Sequence, residues 1–312
     1  MNSSINMLKI NHISKNFNSI TALQNVCLNI QKGEFFGLLG PNGAGKSTLM
    51  NIIIGFLPSD SGQVMLGDHE VSIDDIEVRK KIGYVPQEIS LFLELSAYKN
   101  LKIFGQLYRI SSSQLDEKIK KVLNLVQLSD RRKDAVKEFS GGMKRRLNLA
   151  VSLLHDPEII LCDEPTVGVD PQSRNAIFDM LVELNKSGKT IVYTTHYMEE
   201  AERLCSRLAI IDHGKIIAQG SLVELINLLN RKDTVKIQKT PIVSTKLLSL
   251  QEMGKISEND FYYELIPSEE FTRTSQIFSS LEELGIPNEL TQLSRATLED
   301  VFLSLTGRSL RD

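Results

Sequence analysis

Long apolar runs are missing from this chain. Stretches such as 52–57 are far shorter than the ~18 residues that a membrane-spanning helix needs. The first residues show no basic region followed by an apolar core, so we expect no signal peptide. We therefore expect a chain that is soluble by itself and that acts at a membrane only through a partner.

Cysteine is scarce, and neither charge sign is in large excess. Cys27, Cys162 and Cys205 are far apart and lack metal-binding spacing, which argues against a disulfide framework and favours a reducing cytoplasm. The net charge of −3 provides no basic field, so no nucleic-acid partner is expected. With 312 residues, 41% of them hydrophobic and 24% charged, the chain has an ordinary globular composition and room for two domains.

A glycine-rich segment at 40–47 matches the phosphate-loop pattern G-x-x-x-x-G-K-[ST] at every position. It follows a strand predicted at 35–39 and opens a helix predicted at 46–57, which is the context that the pattern requires. Its glycines allow backbone N–H groups to converge on phosphate oxygens at a helix N-terminus. Lys46 can reach the β- and γ-phosphates, and the Ser47 hydroxyl can ligate Mg²⁺. The sequence therefore predicts a nucleoside triphosphate site.

A second candidate element is the apolar strand at 159–162, which is followed by two acids. In the functional interpretation Asp163 holds Mg²⁺ and Glu164 orients and deprotonates the attacking water. In the alternative the strand simply ends in solvated carboxylates. The phosphate loop earlier in the chain favours the functional interpretation.

A third candidate is the helix that begins after Ser140, with Gly141 and Gly142 at its start. Ser140 is a good N-cap, and the glycines permit close approach to a ligand. The segment is either an ordinary capped helix or the binding site for the γ-phosphate held by another copy of the chain.

The rest of the chain alternates strands and helices, which predicts a mostly parallel sheet covered on both faces. Antiparallel strands are predicted before the phosphate loop, and a helical segment with one apolar face at 91–128. A short helix is predicted to open with a capping box at 221–224, and 231–233 is a linker candidate. The last part, 235–312, is predicted to be a small α+β domain. Its elements are strands at 235–238, 261–266 and 289–293, a helix at 269–284, and a helix capped by Thr297 and Asp300 that ends at Gly307.

Six motifs in this order resemble those of the nucleotide-binding subunit of ATP-binding-cassette (ABC) transporters. They are the phosphate loop at 40–47, Gln87 at the end of 83–87, the signature at 139–143, the acidic strand at 159–164, the D-loop at 167–170, and His196. The resemblance implies an α/β P-loop NTPase fold of the ABC-ATPase type over residues 5–225, with an antiparallel β subdomain and a helical subdomain at about 88–155. A linker at 226–234 and an accessory α+β domain at 235–312 follow.

The resemblance also implies roles for individual residues. The catalytic set is Glu164, His196, Gln87 and Lys46. ATP would be bound by Phe17, Gly40, Pro41, Asn42, Gly43, Ala44, Gly45, Lys46, Ser47, Thr48, Gln87, Ser140, Gly141, Gly142, Met143, Asp170 and His196. Mg²⁺ would be held by Ser47, Gln87 and Asp163. Phe17 would stack on adenine, or else it is a plain strand residue. His196 would contact the γ-phosphate.

The signature departs from the family pattern in one position. It normally ends in glutamine, and here it ends in Met143, so a polar contact made by the glutamine is lost or replaced. The Ser140 hydroxyl and the glycine amides are intact, and we expect ATP-driven dimerisation to persist. The basic run 144–146 that follows is predicted to be the solvated face of the signature helix rather than a nucleic-acid site.

The chain has one phosphate loop and one signature, and each forms one half of a different nucleotide site. The resemblance therefore implies a head-to-tail dimer of two copies, or of this chain with a related ATPase, at the cytoplasmic face of the membrane. A separate transmembrane permease would dock in a groove beside 91–108.

Segments 139–147, 166–171, 195–202 and 297–303 look like those of drug and antibiotic exporters, including daunorubicin-type resistance ATPases. Substrates in that group are drugs, antibiotics, lipids, polysaccharides and ions. The alternative is a soluble ABC ATPase that acts on nucleic acid or ribosomes. Such proteins carry two cassettes or a long coiled coil, and neither occurs in this sequence.

Overall fold

The computed structural model of the chain describes residues 6–72, 74–229, 234–268, 271 and 273–307. Two units can be distinguished, one that runs to Leu222 and one that comprises Val223–Gly307. The linker candidate at 231–233 lies outside the described residues. Among the residues that are described, no helix is both long and apolar enough to cross a bilayer.

The described residues of the first unit form ten strands and seven α-helices, and an eighth helix begins at its last residue and continues into the second unit. The strands are β1 (Asn6–Phe17), β2 (Ile20–Gln31), β3 (Phe35–Leu39), β4 (Ser61–Leu66), β5 (His69–Glu70), β6 (Ile82–Val85), β7 (Ile159–Asp163), β8 (Thr190–Thr195), β9 (Arg207–Asp212) and β10 (Lys215–Gly220). The helices are α1 (Lys46–Ile53), α2 (Ile76–Arg79), α3 (Ala97–Leu107), α4 (Ser112–Leu125), α5 (Gly141–Leu153), α6 (Pro171–Lys186), α7 (Met198–Leu204) and α8 (Leu222–Asn227).

The central sheet has the strand order β10-β9-β3-β8-β7-β6, and all neighbours are parallel except the β9–β10 hairpin. Successive residues of its strands enter two different cores. Ile160 packs in a core with α3 to α6, whereas Ile159 and Leu161 pack in a core with α1 and the antiparallel strands. The sheet is therefore buried on both faces, as the alternation of strands and helices predicted.

The antiparallel strands predicted before the phosphate loop are β1 and β2. They form a second sheet of order β2-β1-β4-β5 with two strands that follow the loop. Leu8 lies opposite Ile30 and Ile10 opposite Leu28, so the apolar residues of β1 and β2 share the face that packs on the core. Helix α1 ends at Ile53 rather than at residue 57, because Gly55 adopts a left-handed conformation with φ of +70° that terminates the helix.

The helical segment predicted at 91–128 is two helices, α3 and α4. Its predicted apolar face is confirmed, since Leu115, Ile119, Val122 and Leu123 are all buried. Residues 91–96 are not helical. They form a loop that the Asn100 side chain holds to α3, as a donor to the Phe92 and Ser96 carbonyls and as the acceptor from the Phe92 N–H.

The second unit contains a four-stranded antiparallel sheet of order β12-β13-β11-β14. Its elements are β11 (Thr234–Gln238), α9 (Pro241–Ser244), α10 (Leu247–Met253), β12 (Gly254–Glu258), β13 (Tyr262–Pro267), α11 (Thr274–Glu283), β14 (Thr291–Ser294) and α12 (Leu298–Thr306). The predicted caps of α12 are confirmed: Thr297 and Asp300 form a capping box, and Gly307 ends the helix with φ of +73°. The sequence did not predict α9, α10 or β12, since these elements are short and lack a clear period. The helix expected from 269 begins at Thr274, and residues 269, 270 and 272 lie outside the described residues.

Removal of the Asn100 amide tests how this side chain stabilises the loop at 91–96, which follows the switch glutamine, Gln87. Asn100 is fully buried, and the Asn100→Ala variant leaves the Phe92 N–H without its acceptor and removes a second donor from the Phe92 and Ser96 carbonyls. We expect the free energy of unfolding, measured by urea denaturation, to fall by about 2–4 kcal/mol. The control is Asn124→Ala at an exposed position of α4, where we expect a change within about 0.5 kcal/mol. Equal stability of the two variants would contradict this interpretation.

Candidate nucleotide-binding site

The phosphate loop connects the end of β3 to the start of α1. Gly45 has φ of +106°, and a Cβ there would lie 2.6 Å from the Ala22 carbonyl oxygen, so only glycine fits. The first hydrogen bond of the helix runs from the Leu49 N–H to the Gly45 carbonyl over 2.9 Å. The amides before Leu49 therefore have no partner within the helix and can bind an anion.

Lys46 is 4% exposed and lies inside this loop. Its ammonium donates to the carbonyl oxygens of Gly40 and Pro41 at 2.7 and 2.9 Å. It also forms an ion pair with the Glu164 carboxylate at 3.0 Å. The Lys46 ammonium, which the sequence analysis assigned to phosphate, is thus bound by two carbonyl oxygens of the loop and by one carboxylate.

Glu164 brings together three of the predicted catalytic residues. Besides Lys46, its carboxylate contacts His196 Nδ1 at 3.1 Å and the Gln87 side-chain amide at 3.5 Å. Glu164 itself has φ of +45°, which is unusual for a residue other than glycine. Its backbone N–H donates to the Thr194 hydroxyl at 2.9 Å, which fixes this turn at the end of β7.

Asp163 precedes Glu164 and is 2% exposed. The Thr194 hydroxyl donates to its carboxylate at 2.7 Å, and Thr194 lies opposite Asp163 in the β7–β8 register. Burial, and then the neighbouring Asp163 carboxylate, raise the pKa of Tyr84, so this phenol stays protonated and can donate to Asp163. Sequence reasoning missed Tyr84 and Thr194, because their role depends on which strands are neighbours.

The predicted metal ligands have the chemistry that Mg²⁺ prefers. The Ser47 side chain is exposed, and Asp163 offers carboxylate oxygen. The Gln87 amide nitrogen points to Glu164, which leaves the amide oxygen for another partner. No group of three His, Cys, Asp or Glu side chains in the described part of the chain could hold a metal ion. A magnesium ion here would therefore complete its shell with phosphate oxygens and water, as is usual for this ion.

Phe17 ends β1 and is 44% exposed, with the Lys15 ammonium 5.6 Å from its ring centroid. It pairs with Ile20 across the β1–β2 turn, and Ala22 of the same hairpin contacts Gly45. An exposed aromatic ring thus lies on the hairpin that packs against the phosphate loop.

The signature residues lie apart from this constellation. Among the described residues, no hydrogen bond or ion pair joins 140–142 to the phosphate loop. The Ser140 hydroxyl oxygen accepts the Met143 N–H at 3.2 Å as the N-cap of α5, which leaves the hydroxyl hydrogen available to a ligand. A Cβ on Gly141 would have no atom within 4 Å, whereas one on Gly142 would overlap the Ser173 side chain. Gly142 is thus needed for packing within the chain, but Gly141 is not.

Met143 and Asp170 have ordinary structural roles in this structure. Met143 packs against the apolar core of the helical layer, which replaces a polar side chain at this position by a hydrophobic contact. Asp170 caps helix α6 by accepting the Ser173 N–H at 2.9 Å. The hydrogen bonds from the Ser173 backbone and side chain hold the pKa of Asp170 below its usual value.

The prediction of a solvated face at 144–146 is wrong, since all three side chains are partly buried. Arg145 and Arg146 are both partly buried and donate to backbone carbonyl oxygens. Arg146 reaches the Val126 carbonyl at 3.0 Å at the end of α4. Burial lowers the pKa of both guanidinium groups, although arginine remains charged.

A buried carboxylate that the sequence did not reveal supports the His196 turn. Glu200 is 3% exposed and accepts hydroxyl hydrogen bonds from Thr166, Tyr193 and Thr195, all at 2.8–2.9 Å. Burial, and then the charge of Glu200, raise the pKa of Tyr193, which keeps its hydroxyl a donor. The network ties the residue before His196 to the segment after Glu164.

Comparisons with known proteins agree with this geometry. The family described as "ABC transporter" matches residues 23–167. The linearmycin resistance ATP-binding protein of Bacillus subtilis (strain 168) is 38% identical over 311 residues, which cover 98% of this chain and 100% of that protein. A Nod factor export ATP-binding protein I, from Cupriavidus metallidurans, is 38% identical over 309 residues, which cover 98% of this chain and 99% of that protein.

Solved structures of the same family superimpose on the first unit. A dimeric ATP-binding cassette in a post-hydrolysis state, bound to ADP and Pi, gives a TM-score of 0.63 at 31% identity over 69% of this chain and 98% of that chain. An ATP-binding subunit of an ABC transporter gives a TM-score of 0.65 at 26% identity over 72% and 93% of the two chains. The chain therefore belongs to the family of ABC transporter ATP-binding proteins, and it is an ATP-hydrolysing subunit of the exporter group.

Proposed function

We propose that this chain binds MgATP between two subunits and uses its hydrolysis to drive export through a separate permease. The observation that carries the proposal is the convergence of Lys46, Gln87 and His196 on the Glu164 carboxylate. Phosphoryl transfer to water requires a cation, here Lys46, and a base, here Glu164. Gln87 and His196 are the switch residues of the family pattern.

Each residue has a defined task in this proposal. Phe17 stacks on adenine, and the backbone N–H groups of 45–48 at the start of α1 bind the phosphates together with Lys46. Ser47, Asp163 and Gln87 would hold Mg²⁺, which would supply positive charge that stabilises the phosphate oxygens in the transition state. Glu164 takes a proton from the water that attacks the γ-phosphorus, and ADP leaves as the bond to its β-phosphate oxygen breaks. His196 orients Glu164 and contacts the γ-phosphate.

The second half of each site comes from another subunit. The Ser140 hydroxyl hydrogen is available, and Gly141 faces open space, so an incoming triphosphate could approach both closely. Two copies arranged head to tail would complete two sites, each with a phosphate loop from one chain and a signature from the other. Closure on ATP and opening after hydrolysis would then move the permease.

A groove between α1, α2 and α3 is a candidate docking site for a permease. The first unit would bind the permease there, at the cytoplasmic face of the membrane. This α1–α3 groove encloses about 290 Å³ and is lined by Ile54, Ile76, Arg79, Lys80, Ile82, Tyr84, Leu107, Tyr108 and Arg109. Leu107 is 71% exposed there. An apolar floor with a basic rim fits a short amphipathic helix that carries an acidic residue. The relatives are named for linearmycin resistance and for Nod factor export, which supports a drug, antibiotic, lipid, polysaccharide or ion, the substrates expected for this exporter group.

The Glu164→Gln variant tests the base. It keeps the shape of the side chain and removes the proton acceptor, so we expect ATP binding to persist and hydrolysis to slow by about 10²–10⁴-fold. Gel filtration with ATP and Mg²⁺ should then show an accumulated dimer. Glu183→Gln, at an exposed position of α6, is the matched control and should behave as the unmodified chain. A Glu164→Gln variant that stays monomeric with MgATP would contradict the proposal.

Mixing two inactive variants tests the shared site. Lys46→Ala removes the phosphate cation, and Gly141→Asp places a negative charge where the signature meets phosphate without a clash inside its own chain. Each homodimer should be inactive. A mixed dimer has one intact site, so an equimolar mixture should recover at most about a quarter of the unmodified ATPase rate if the chains assort randomly. No recovery on mixing would exclude a site shared between identical copies.

The Leu107→Asp variant tests the α1–α3 groove. We expect it to abolish co-purification of a membrane protein with the tagged chain from detergent-solubilised membranes, because a buried carboxylate would face an apolar contact. ATP hydrolysis by the isolated chain should be unchanged. The control is Leu248→Asp on α10, at a leucine that is 79% exposed. Equal recovery of the membrane protein by both variants would show that the groove is not the docking site.

A further inference from the structure

Arg145 connects the signature helix α5 to both segments that flank the catalytic base. Its guanidinium donates to the carbonyl oxygens of Pro86 at 3.4 Å and of Gln87. A second nitrogen of the same group donates to the Val167 carbonyl oxygen at 3.3 Å. One side chain therefore holds the backbone of the switch glutamine and the start of the D-loop.

Both of these segments contact Glu164 directly. The Gln87 side chain lies 3.5 Å from the Glu164 carboxylate, and the Val167 N–H donates to the Glu164 carbonyl at 3.3 Å. Arg145 is thus one residue away from Glu164 along two separate paths. A displacement of α5 would therefore shift Glu164 through both Gln87 and Val167.

The neighbouring turn of α5 reinforces this attachment. Asn148 lies three residues after Arg145, on the same face of the helix, and is 3% exposed. Its side-chain oxygen accepts the Ser90 N–H at 3.4 Å, and its amide lies 3.5 Å from the Glu88 carbonyl. This face of α5 therefore follows the backbone from residue 86 to residue 90.

The chemistry of arginine suits the position. The guanidinium carries five donors in a rigid planar fork, so one group can serve three carbonyl oxygens in different directions. A lysine ammonium on a flexible stem cannot hold the same three acceptors in fixed relative positions. All three partners are backbone atoms, which indicates a role in fixing the position of these segments.

We propose that Arg145 is a positioning residue that makes the catalytic base of each chain depend on the signature helix of that same chain. This proposal rests on the proposed function, in which the signature at the start of α5 binds the ATP held by the partner subunit. Engagement of Ser140 and Gly141 at one site would then be transmitted by Arg145 to Gln87 and Glu164 at the other. The two sites would hydrolyse ATP cooperatively, because one helix contributes to both.

The first test compares Arg145→Ala and Arg145→Lys with Lys144→Ala. Lys144 is on the same helix, and no side-chain hydrogen bond or ion pair to another described residue involves it. We expect Arg145→Ala to lower kcat about tenfold, to bring the Hill coefficient for ATP close to one, and to leave the Kd of a fluorescent ATP analogue within about twofold. Arg145→Lys should be intermediate, and Lys144→Ala should match the unmodified chain.

Three results of this first test would overturn the proposal. They are unchanged cooperativity in Arg145→Ala, an unmodified chain that shows no cooperativity, and a loss of ATP affinity that follows a lower melting temperature. The last of these would identify a merely structural residue.

The second test uses the mixed dimer of the Lys46→Ala and Gly141→Asp chains, whose single intact site takes its phosphate loop from the Gly141→Asp chain. We expect Arg145→Ala on that chain to lower the rate about tenfold, because it displaces Gln87 and Glu164 at the working site. The signature of that chain carries Gly141→Asp and cannot engage ATP, so this mixture tests how Arg145 positions the base and not the coupling between the two sites. The same substitution on the Lys46→Ala chain should change the rate less than twofold. The reverse pattern would mean that Arg145 acts on the partner's nucleotide and would overturn the proposal. Failure of the mixture to regain any activity before Arg145 is changed would instead refute the shared site, and with it this proposal.

Discussion

The buried ion pair between Lys46 and Glu164 is the interaction on which the rest of the site depends. Both side chains are at most 5% exposed, so neither charge is stabilised by water. Loss of one partner would leave an uncompensated buried charge, which costs about 3–5 kcal/mol in other proteins. The remaining hydrogen-bonding capacity is used as well: Lys46 donates to two loop carbonyls, and Glu164 accepts from His196 and Gln87. A phosphate that reaches Lys46 must therefore compete with the Glu164 carboxylate, which is the base in the proposed mechanism.

Strand order explains why these residues meet at one place. The phosphate loop follows β3, and the switch glutamine follows β6, while Glu164 and His196 follow β7 and β8. These strands are parallel neighbours, so their carboxyl ends lie at the same edge of the sheet. The buried Glu200 network then fixes the turn before His196, and Thr194 fixes the turn at Glu164. The sheet therefore brings these residues to one edge, and the hydroxyl groups on β8 fix the turns that carry Glu164 and His196.

Helix α5 combines an open end with a tightly packed body. Gly141 faces open space, while Gly142 leaves no room for a side chain beside Ser173. Further along, Arg145 and Asn148 hold the backbone of residues 86–90. The same helix is thus available to a partner at its start and attached to its own catalytic loop in its middle. In the proposed dimer, this division would allow one rigid helix to contribute to two sites.

Local chemistry was determined by the sequence alone. The phosphate loop, the Ser140 cap and the Thr297 capping box depend on residues adjacent in the chain, and the buried stripe on α4 depends on a helical period. Weakly periodic elements such as α9, α10 and β12 were missed for the same reason, since no local signal distinguishes them. The tertiary structure alone decided that Lys46, Gln87 and His196 share one carboxylate, and that Arg145 is a partly buried donor rather than a solvated charge. These contacts join residues tens of positions apart, so they depend on strand order and helix packing, which no short pattern encodes.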